Sequence, residues 1–261
     1  MNSDFIQSFL KPQRTGNYIQ DLNPLSKFNI LLILGIAPFI VNDYRFGFGI
    51  SVVFLIIALA AQKLKPFFKV YWKIALLFGV FLFLVRACFS PAENVLFQFI
   101  GIKLTTEGIA IGLQSSSLVL AFSGAIILFV QLTPMNKLMY ALEKKGMSHV
   151  VSYITLSSFQ TIADLGNNAK VIMESQKSRG IETDGNVFQR IKAYVPVLGP
   201  LVLNAISSTE EKAIAMDARA FSAPVKHTFL CDLPPVSIGE KVLVCIFNLA
   251  FIMLIVWRFV L

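Results

Sequence analysis

Long runs of apolar residues alternate with short polar links along the first half of the chain, and one more run closes it. The runs cover residues 28–41, 46–61, 70–89, 108–130 and 242–261. A helix that crosses the hydrocarbon core needs roughly 20 residues, and the last three runs reach that length. The first two are shorter, and only 42-NDYR-45 separates them, which predicts a tight helical hairpin. The pattern predicts an all-α integral membrane protein with about five transmembrane helices.

The stretch between the fourth and fifth runs has a different pattern, in which apolar residues recur every three or four positions among charged ones. This period is typical of amphipathic helices and predicts three of them, over residues 133–146, 150–178 and 187–221. In the first, Thr133 is expected to be the N-cap, Pro134 the first helical residue and Gly146 the left-handed stop. Pro196 and Pro200 are expected to kink the third.

These patterns divide the chain into three regions. Residues 1–130 form an N-terminal segment with four transmembrane helices, residues 131–240 a coupling-helix region on the cytoplasmic side, and residues 241–261 the last transmembrane helix. The start of the chain lacks a basic patch followed directly by an apolar core, so the first run is expected to remain as an anchor.

Lysine and arginine placement predicts the orientation in the membrane. Lys11, Arg14 and Lys27 precede the first span, and four more lysines crowd the connection between the second and third spans. Positive residues accumulate on the cytoplasmic side, so the N-terminus is expected inside the cell and the C-terminus outside. The long amphipathic region then faces the cytoplasm.

Arg179 and Arg219 stand near the ends of the two longest amphipathic helices, each between two small residues. One arginine there can simply complement the helix dipole. Two such arginines at the ends of consecutive long helices indicate two docking points, because a guanidinium offers a rigid fork of donors to carboxylates and backbone carbonyls. Two related cytoplasmic subunits are the simplest partners.

Composition narrows the classes of function. Hydrophobic residues make up 56% of the chain and the mean hydropathy is +0.69. The hydrophobic share is well above that of a typical soluble domain. The net charge of +8 is not gathered into a basic, aromatic surface, so nucleic acid is not an expected partner. The three cysteines and two histidines lack metal-ligand spacing, and there is no phosphate-binding Gly-x-x-x-x-Gly-Lys-Ser/Thr loop. We expect no catalytic residue and no metal or cofactor bound by this chain.

Three further stretches resemble the transmembrane T component of energy-coupling factor (ECF) transporters, the vitamin and metal uptake systems of prokaryotes. The segment 22-LNPLSKF-28 is similar to the family's Leu-Asp-Pro-x-x-Lys-Leu motif, with Asn23 in the Asp place. The segments 104-LTTEGIAIGL-113 and 133-TPMNKLMYALEKKG-146 resemble a later span and the short helix after it. The resemblance covers most of the chain.

The resemblance assigns roles to the two arginines. In the family, Ala-Arg-Gly-like triplets end two crossing coupling helices that dock into two ATP-binding subunits. They correspond here to Ser178, Arg179 and Gly180, and to Ala218, Arg219 and Ala220. Ser178 and Ala220 depart from the commonest pattern, although both are small.

The resemblance also implies the partners and the location. These are two ATP-binding cassette ATPases, a small membrane S component that captures the substrate, and the lipid bilayer of a prokaryotic plasma membrane. ATP and magnesium would bind to the ATPases, and their hydrolysis would move the coupling helices and tilt the S component. The chain would then be a non-catalytic, multi-pass subunit of an importer of vitamins, other micronutrients or metal ions.

Two other functions remain open from the residues alone. A self-contained secondary transporter or channel would place ionisable groups inside its spans, where Arg86 and the polar cluster 114-QSSS-117 are the main candidates. Snorkelling explains Arg86 and close helix packing explains the serines. A membrane-embedded enzyme would need a convergent acid, base or metal set, and Asp164, Glu174 and Asp217 do not fall into a recognised spacing.

Overall fold

The computed structural model describes residues 16–89, 95–99, 102–180, 186–221, 223 and 236–260. Two compact units account for the chain: Met1–Gly146 with Leu230–Leu261, and Met147–Phe229. The short helix Met135–Lys144 belongs to the first unit, where it packs against the helix Pro24–Val41. The predicted division of the chain into residues 1–130, 131–240 and 241–261 stays a prediction.

The secondary structure is almost entirely helical. The helices are α1 (Tyr18–Asp21), α2 (Pro24–Val41), α3 (Tyr44–Ala60), α4 (Leu64–Ile74), α5 (Val80–Phe89), α6 (Thr106–Leu132), α7 (Met135–Lys144), α8 (His149–Ser178), α9 (Val187–Ala218) and α10 (Ile238–Val260). A π-helical turn, Ala75–Gly79, joins α4 to α5 without a break.

Four helical segments in the described residues are long and apolar enough to cross a membrane. They are Pro24–Val41, Leu64–Cys88, Thr106–Leu132 and Ile238–Arg258. The shorter apolar helix α3 supplies the other half of the predicted hairpin with α2. The all-α membrane class is therefore confirmed. The third span starts earlier than its apolar run, so three of the lysines assigned to the preceding connection, Lys65, Lys69 and Lys73, lie on α4 itself.

One short antiparallel hairpin interrupts the helices, and the sequence pattern did not predict it. Strand β1 (Val95–Phe99) pairs with β2 (Ile102–Thr105), and α6 follows β2 directly. The link between the third and fourth spans therefore includes a small β-ribbon.

Helix α6 is the centre of the first unit and packs against α2, α3, α4 and α5. Its buried face is rich in small residues, including Ser116 and Ser117, whose hydroxyls donate to Leu113 and Gln114 carbonyls of the same helix. Small residues let neighbouring backbones approach closely in a membrane. The predicted packing role of the 114-QSSS-117 cluster is confirmed.

A buried polar network joins three helix ends. The Lys27 Nζ, with 6% of the residue exposed, donates to the carbonyl oxygens of Gln20 (2.7 Å) and Leu132 (3.3 Å). The Asn23 side chain caps α2 by accepting from the N–H of Leu25, and the Asn23 N–H donates to the buried Glu240 carboxylate at 2.9 Å. The motif 22-LNPLSK-27 thus joins the start of α2 to the end of α6 and the start of α10.

The predicted cap of α7 is wrong by one residue. Helix α7 begins at Met135 with Pro134 as its N-cap. The Thr133 N–H bonds to the Phe129 carbonyl and so continues the turn of α6, while the Thr133 hydroxyl is buried without a hydrogen-bond partner. A threonine between two close helices can extend the first instead of capping the second. Gly146, with φ +112°, does supply the expected left-handed stop.

Candidate functional site

The two long helices of the second unit run antiparallel to each other. Near one end, Tyr153 of α8 faces Met216 of α9 across a shared groove, and further along α8, Leu165 faces Leu201 of α9. The sequence folds this way because the apolar stripes of both helices recur at steps of three and four residues, which places them on continuous faces. The helix α9 continues through both of its internal prolines.

Each of the two helices ends at a different one of the predicted arginines. Arg179 is the C-cap of α8, and Gly180 follows it with φ +90°, its N–H bonded to the Lys177 carbonyl. Arg219 follows the last residue of α9, and Ala220 comes next with φ +56°, its N–H bonded to the Asp217 carbonyl. A left-handed residue after the cap is a frequent way to end a helix. The two triplets therefore share a backbone turn as well as a sequence pattern.

The turn after α9 has an additional anchor. The Phe221 N–H bonds to the Met216 carbonyl, which completes a Schellman motif together with the Ala220 bond. The Phe221 ring lies 5.1 Å from the His149 ring and 5.0 Å from the Tyr153 ring, between centroids. This aromatic cluster fixes the end of α9 beside the start of α8. The sequence indicated no role for His149, since the histidines lack metal-ligand spacing, and the aromatic Phe221 soon after the second triplet was the available signal.

The antiparallel arrangement places the two arginines at opposite ends of the unit. Arg219 is two residues from Phe221, which contacts Tyr153 near the start of α8, whereas Arg179 ends that helix. The rise of α8 between Tyr153 and Arg179, at ~1.5 Å per residue, amounts to about 40 Å. One small ligand could not contact both guanidinium groups at once.

All six predicted site residues are exposed: Ser178, Arg179, Gly180, Ala218, Arg219 and Ala220. No hydrogen bond or ion pair joins either guanidinium to the other described residues. The Ser178 hydroxyl donates to the Glu174 carbonyl of its own helix (3.1 Å), so this side chain bonds back along α8. The three residues of each triplet lie together at one helix end, and the two triplets lie at opposite ends of the unit.

Much of the apolar surface of α8 and α9 is exposed. Ile154 and Ile162 of α8 are 56% and 67% exposed, and Val195 and Leu198 of α9 are 63% and 56% exposed. All four belong to the apolar stripes of the predicted amphipathic helices. Apolar patches of this extent mark binding surfaces for proteins or lipid. No group of three His, Cys, Asp or Glu residues within the described ranges could hold a metal ion.

The unusual backbone at Ala220 gives a stability prediction. A left-handed conformation costs a residue with a Cβ about 1–2 kcal/mol, and glycine avoids this cost. We expect Ala220→Gly to raise the free energy of unfolding by about 0.5–1 kcal/mol, and Gly180→Ala to lower it by a similar amount. Thermal unfolding in detergent measures both. If Ala220→Gly destabilised the protein, the left-handed turn after α9 would be incorrect.

Comparison with known proteins adds an independent finding. Residues 15–229 match the CbiQ family, described as cobalt transport protein. The chain is similar to an energy-coupling factor transporter transmembrane protein EcfT of Thermanaerovibrio acidaminovorans, with 30% identity over 225 residues, 80% of this chain and 81% of the relative. A relative of the same name from Staphylococcus aureus is 28% identical over 82% of this chain and 83% of its own length. One from Clostridium kluyveri is 28% identical over 88% and 91%.

Proposed function

Since the chain belongs to the CbiQ family and is the transmembrane T component of an energy-coupling factor transporter, we propose that α8 and α9 are its coupling helices. In this proposal each arginine docks into one of two ATP-binding cassette subunits. The helices pass the motion of these subunits to a small S component that captures the substrate. The cargo is a vitamin, another micronutrient or a metal ion.

The observation that carries the proposal is the repeated helix end. Arg179 and Arg219 stand exposed at the ends of two antiparallel helices, in backbone turns of the same kind. The stretch of α8 from Tyr153, which contacts the end of α9, to Arg179 rises by about 40 Å. Equivalent contacts at two separated points suit two similar partner subunits. A guanidinium suits such a contact because it presents several donors in a fixed plane.

The exposed apolar stripes support the S component as a third partner. Side chains such as Ile162 and Val195 have most of their surface uncovered. A membrane protein with an apolar surface would cover these stripes and gain about 25 cal/mol for each Å² removed from water. An amphipathic helix that lies in a partner's groove is a common mode of recognition.

Lysine placement supports a cytoplasmic position for the coupling helices. Lys63, Lys65 and Lys69 are exposed near the start of α4, and Lys73 follows one helical turn later. Positive residues at a span end favour the cytoplasmic side, so α3 and α4 meet inside the cell. The N-terminus is then inside and the C-terminus outside.

In this proposal the hydrolysis of ATP takes place on the partner subunits. ATP and magnesium bind to the ATPase subunits, and this chain takes part as a mechanical, non-catalytic component. The buried cation in a candidate span, Lys27, donates to two backbone carbonyls at helix ends and so has a structural role. No observation on the described spans favours a self-contained transporter or an enzyme.

Co-purification from the native host tests the proposed partners. We expect the tagged chain in mild detergent to retain ATP-binding subunits and a small apolar membrane protein, identified by mass spectrometry. Arg179→Ala/Arg219→Ala is expected to lose the ATPases. The control Lys170→Ala/Lys212→Ala removes the same charge from inside the same helices, about two turns or more before each arginine, and should retain them. A wild-type chain that brings down no ATPase would favour the self-contained transporter instead.

A further inference from the structure

A cavity of about 660 Å³ lies in the first unit, among the start of α2, the end of α7 and the start of α10. Its size is within the ordinary range of ligand pockets. Three lysines line it, Lys144 and Lys145 at the end of α7 and Lys241 on α10, and none of the described lining residues is acidic. It is separate from the arginine triplets, which belong to the other unit.

Two amide side chains of this cavity offer N–H donors, because their carbonyl oxygens already accept hydrogen bonds within the protein. The Asn29 Oδ1 accepts from the Asn248 Nδ2 at 2.8 Å, which leaves the Asn29 NH₂ group for another partner. The Asn23 Oδ1 accepts from the Leu25 N–H at 3.0 Å, which leaves the Asn23 NH₂ group as well. Two amide donors, with lysine ammonium groups beside them in one cavity, suit a multiply bonded anion.

Two helix starts add to this positive character. Ser26, in the first turn of α2, lines the cavity, and the first turn of α10 lies beside it through Lys241. Backbone N–H groups at a helix start favour anions. The nearest carboxylate on α10, that of Glu240, is only 5% exposed, and the Asn23 N–H donates to it. Glu240 is not among the residues that line the cavity.

We propose that this cavity binds the phosphate group of an anionic phospholipid. The helices α2 and α10 are both candidate membrane spans, and the lining residues Leu25 and Val244 give the cavity an apolar wall on them. A phosphate near the lysines would thus have a path for acyl chains along the spans. Basic pockets beside transmembrane helices commonly bind anionic headgroups. This inference depends on the membrane spans and not on the proposed coupling mechanism.

Native mass spectrometry of the purified transporter complex tests the lipid site. The complex is exchanged into an equal mixture of phosphatidylglycerol and phosphatidylcholine, and bound lipid is counted. We expect the wild type to retain phosphatidylglycerol and Lys144→Gln/Lys145→Gln/Lys241→Gln to retain at least about tenfold less, since each lysine near the headgroup adds to the attraction of an anionic lipid. The control Lys63→Gln/Lys65→Gln/Lys69→Gln removes the same charge from exposed positions on and before α4 and should bind like the wild type.

A second variant tests the amide donors without removing a lysine. Asn29→Asp keeps an oxygen for the Asn248 bond but replaces the free NH₂ group with an acceptor, so it should also lose phosphatidylglycerol. Equal lipid retention by the cavity triple variant and the wild type would overturn the proposal. An equal loss in the control triple variant would do so too. Displacement of the lipid by millimolar inorganic phosphate would identify a site for free phosphate and overturn the lipid assignment.

Discussion

The variant Arg179→Ala/Arg219→Ala is expected to abolish ATP-driven uptake and to leave the protein inserted and folded. Both side chains are exposed, and neither bonds to another described residue. Their loss should therefore cost the fold only the favourable helix-end charge, about 0.3–1 kcal/mol for each arginine. The effect on transport is large because both proposed contacts with the ATPases are lost together.

Single substitutions separate the two contacts. Arg179→Ala or Arg219→Ala alone should weaken uptake because one of the two docking points remains. Arginine-to-lysine changes should restore only part of the activity, because an ammonium cannot reproduce the planar fork of a guanidinium. The measurement is uptake into proteoliposomes that contain the co-purified partners, with the cargo of the identified S component. Normal uptake by the double alanine variant would refute the coupling assignment, and full activity with lysine would indicate simple charge pairing.

The spans and the long amphipathic helices could be predicted because their signals are local. Twenty apolar residues in a row and apolar residues at every third or fourth position specify a helix and its buried face within a short window. The signal for the end of α8 is equally local, since Gly180 adopts the left-handed conformation that glycine tolerates best. At α9 the same turn is formed by Ala220, and the helix predicted over 187–221 ran past it, because alanine is not a typical left-handed residue.

The features that sequence reasoning missed depend on contacts between distant segments. The bond from the Asn23 N–H to Glu240 joins residues 217 positions apart, and no pattern in either segment indicates the other. Thr133 shows the same limit at short range, since its hydroxyl is buried without a hydrogen-bond partner instead of capping α7. The sequence around the threonine does not show that it continues α6. The cavity beside α2, α7 and α10 is likewise formed by segments that meet only in the folded unit.

The tight contact between α3 and α6 should make Gly47 sensitive to any added side chain. A Cβ added at Gly47 on α3 would lie 2.7 Å from the Ser117 Oγ and 3.3 Å from the Ser117 carbonyl carbon on α6. We expect Gly47→Leu to force the two helices apart and to lower the free energy of unfolding by about 3 kcal/mol or more. Gly49→Leu is the matched control, because it lies two residues along α3 and meets no atom within 4 Å.

A compensating change distinguishes the steric contact from a general effect of side chains on α3. Gly47→Ala should be destabilised by the Ser117 side chain, and adding Ser117→Gly removes both the Oγ and the Cβ that the new methyl group meets. The double variant should therefore recover much of the lost stability, which makes the two substitutions strongly non-additive. Thermal unfolding and monodispersity in detergent measure all of these variants. Additive losses, or equal losses at Gly47→Leu and Gly49→Leu, would show that α3 and α6 do not pack through Gly47 and Ser117.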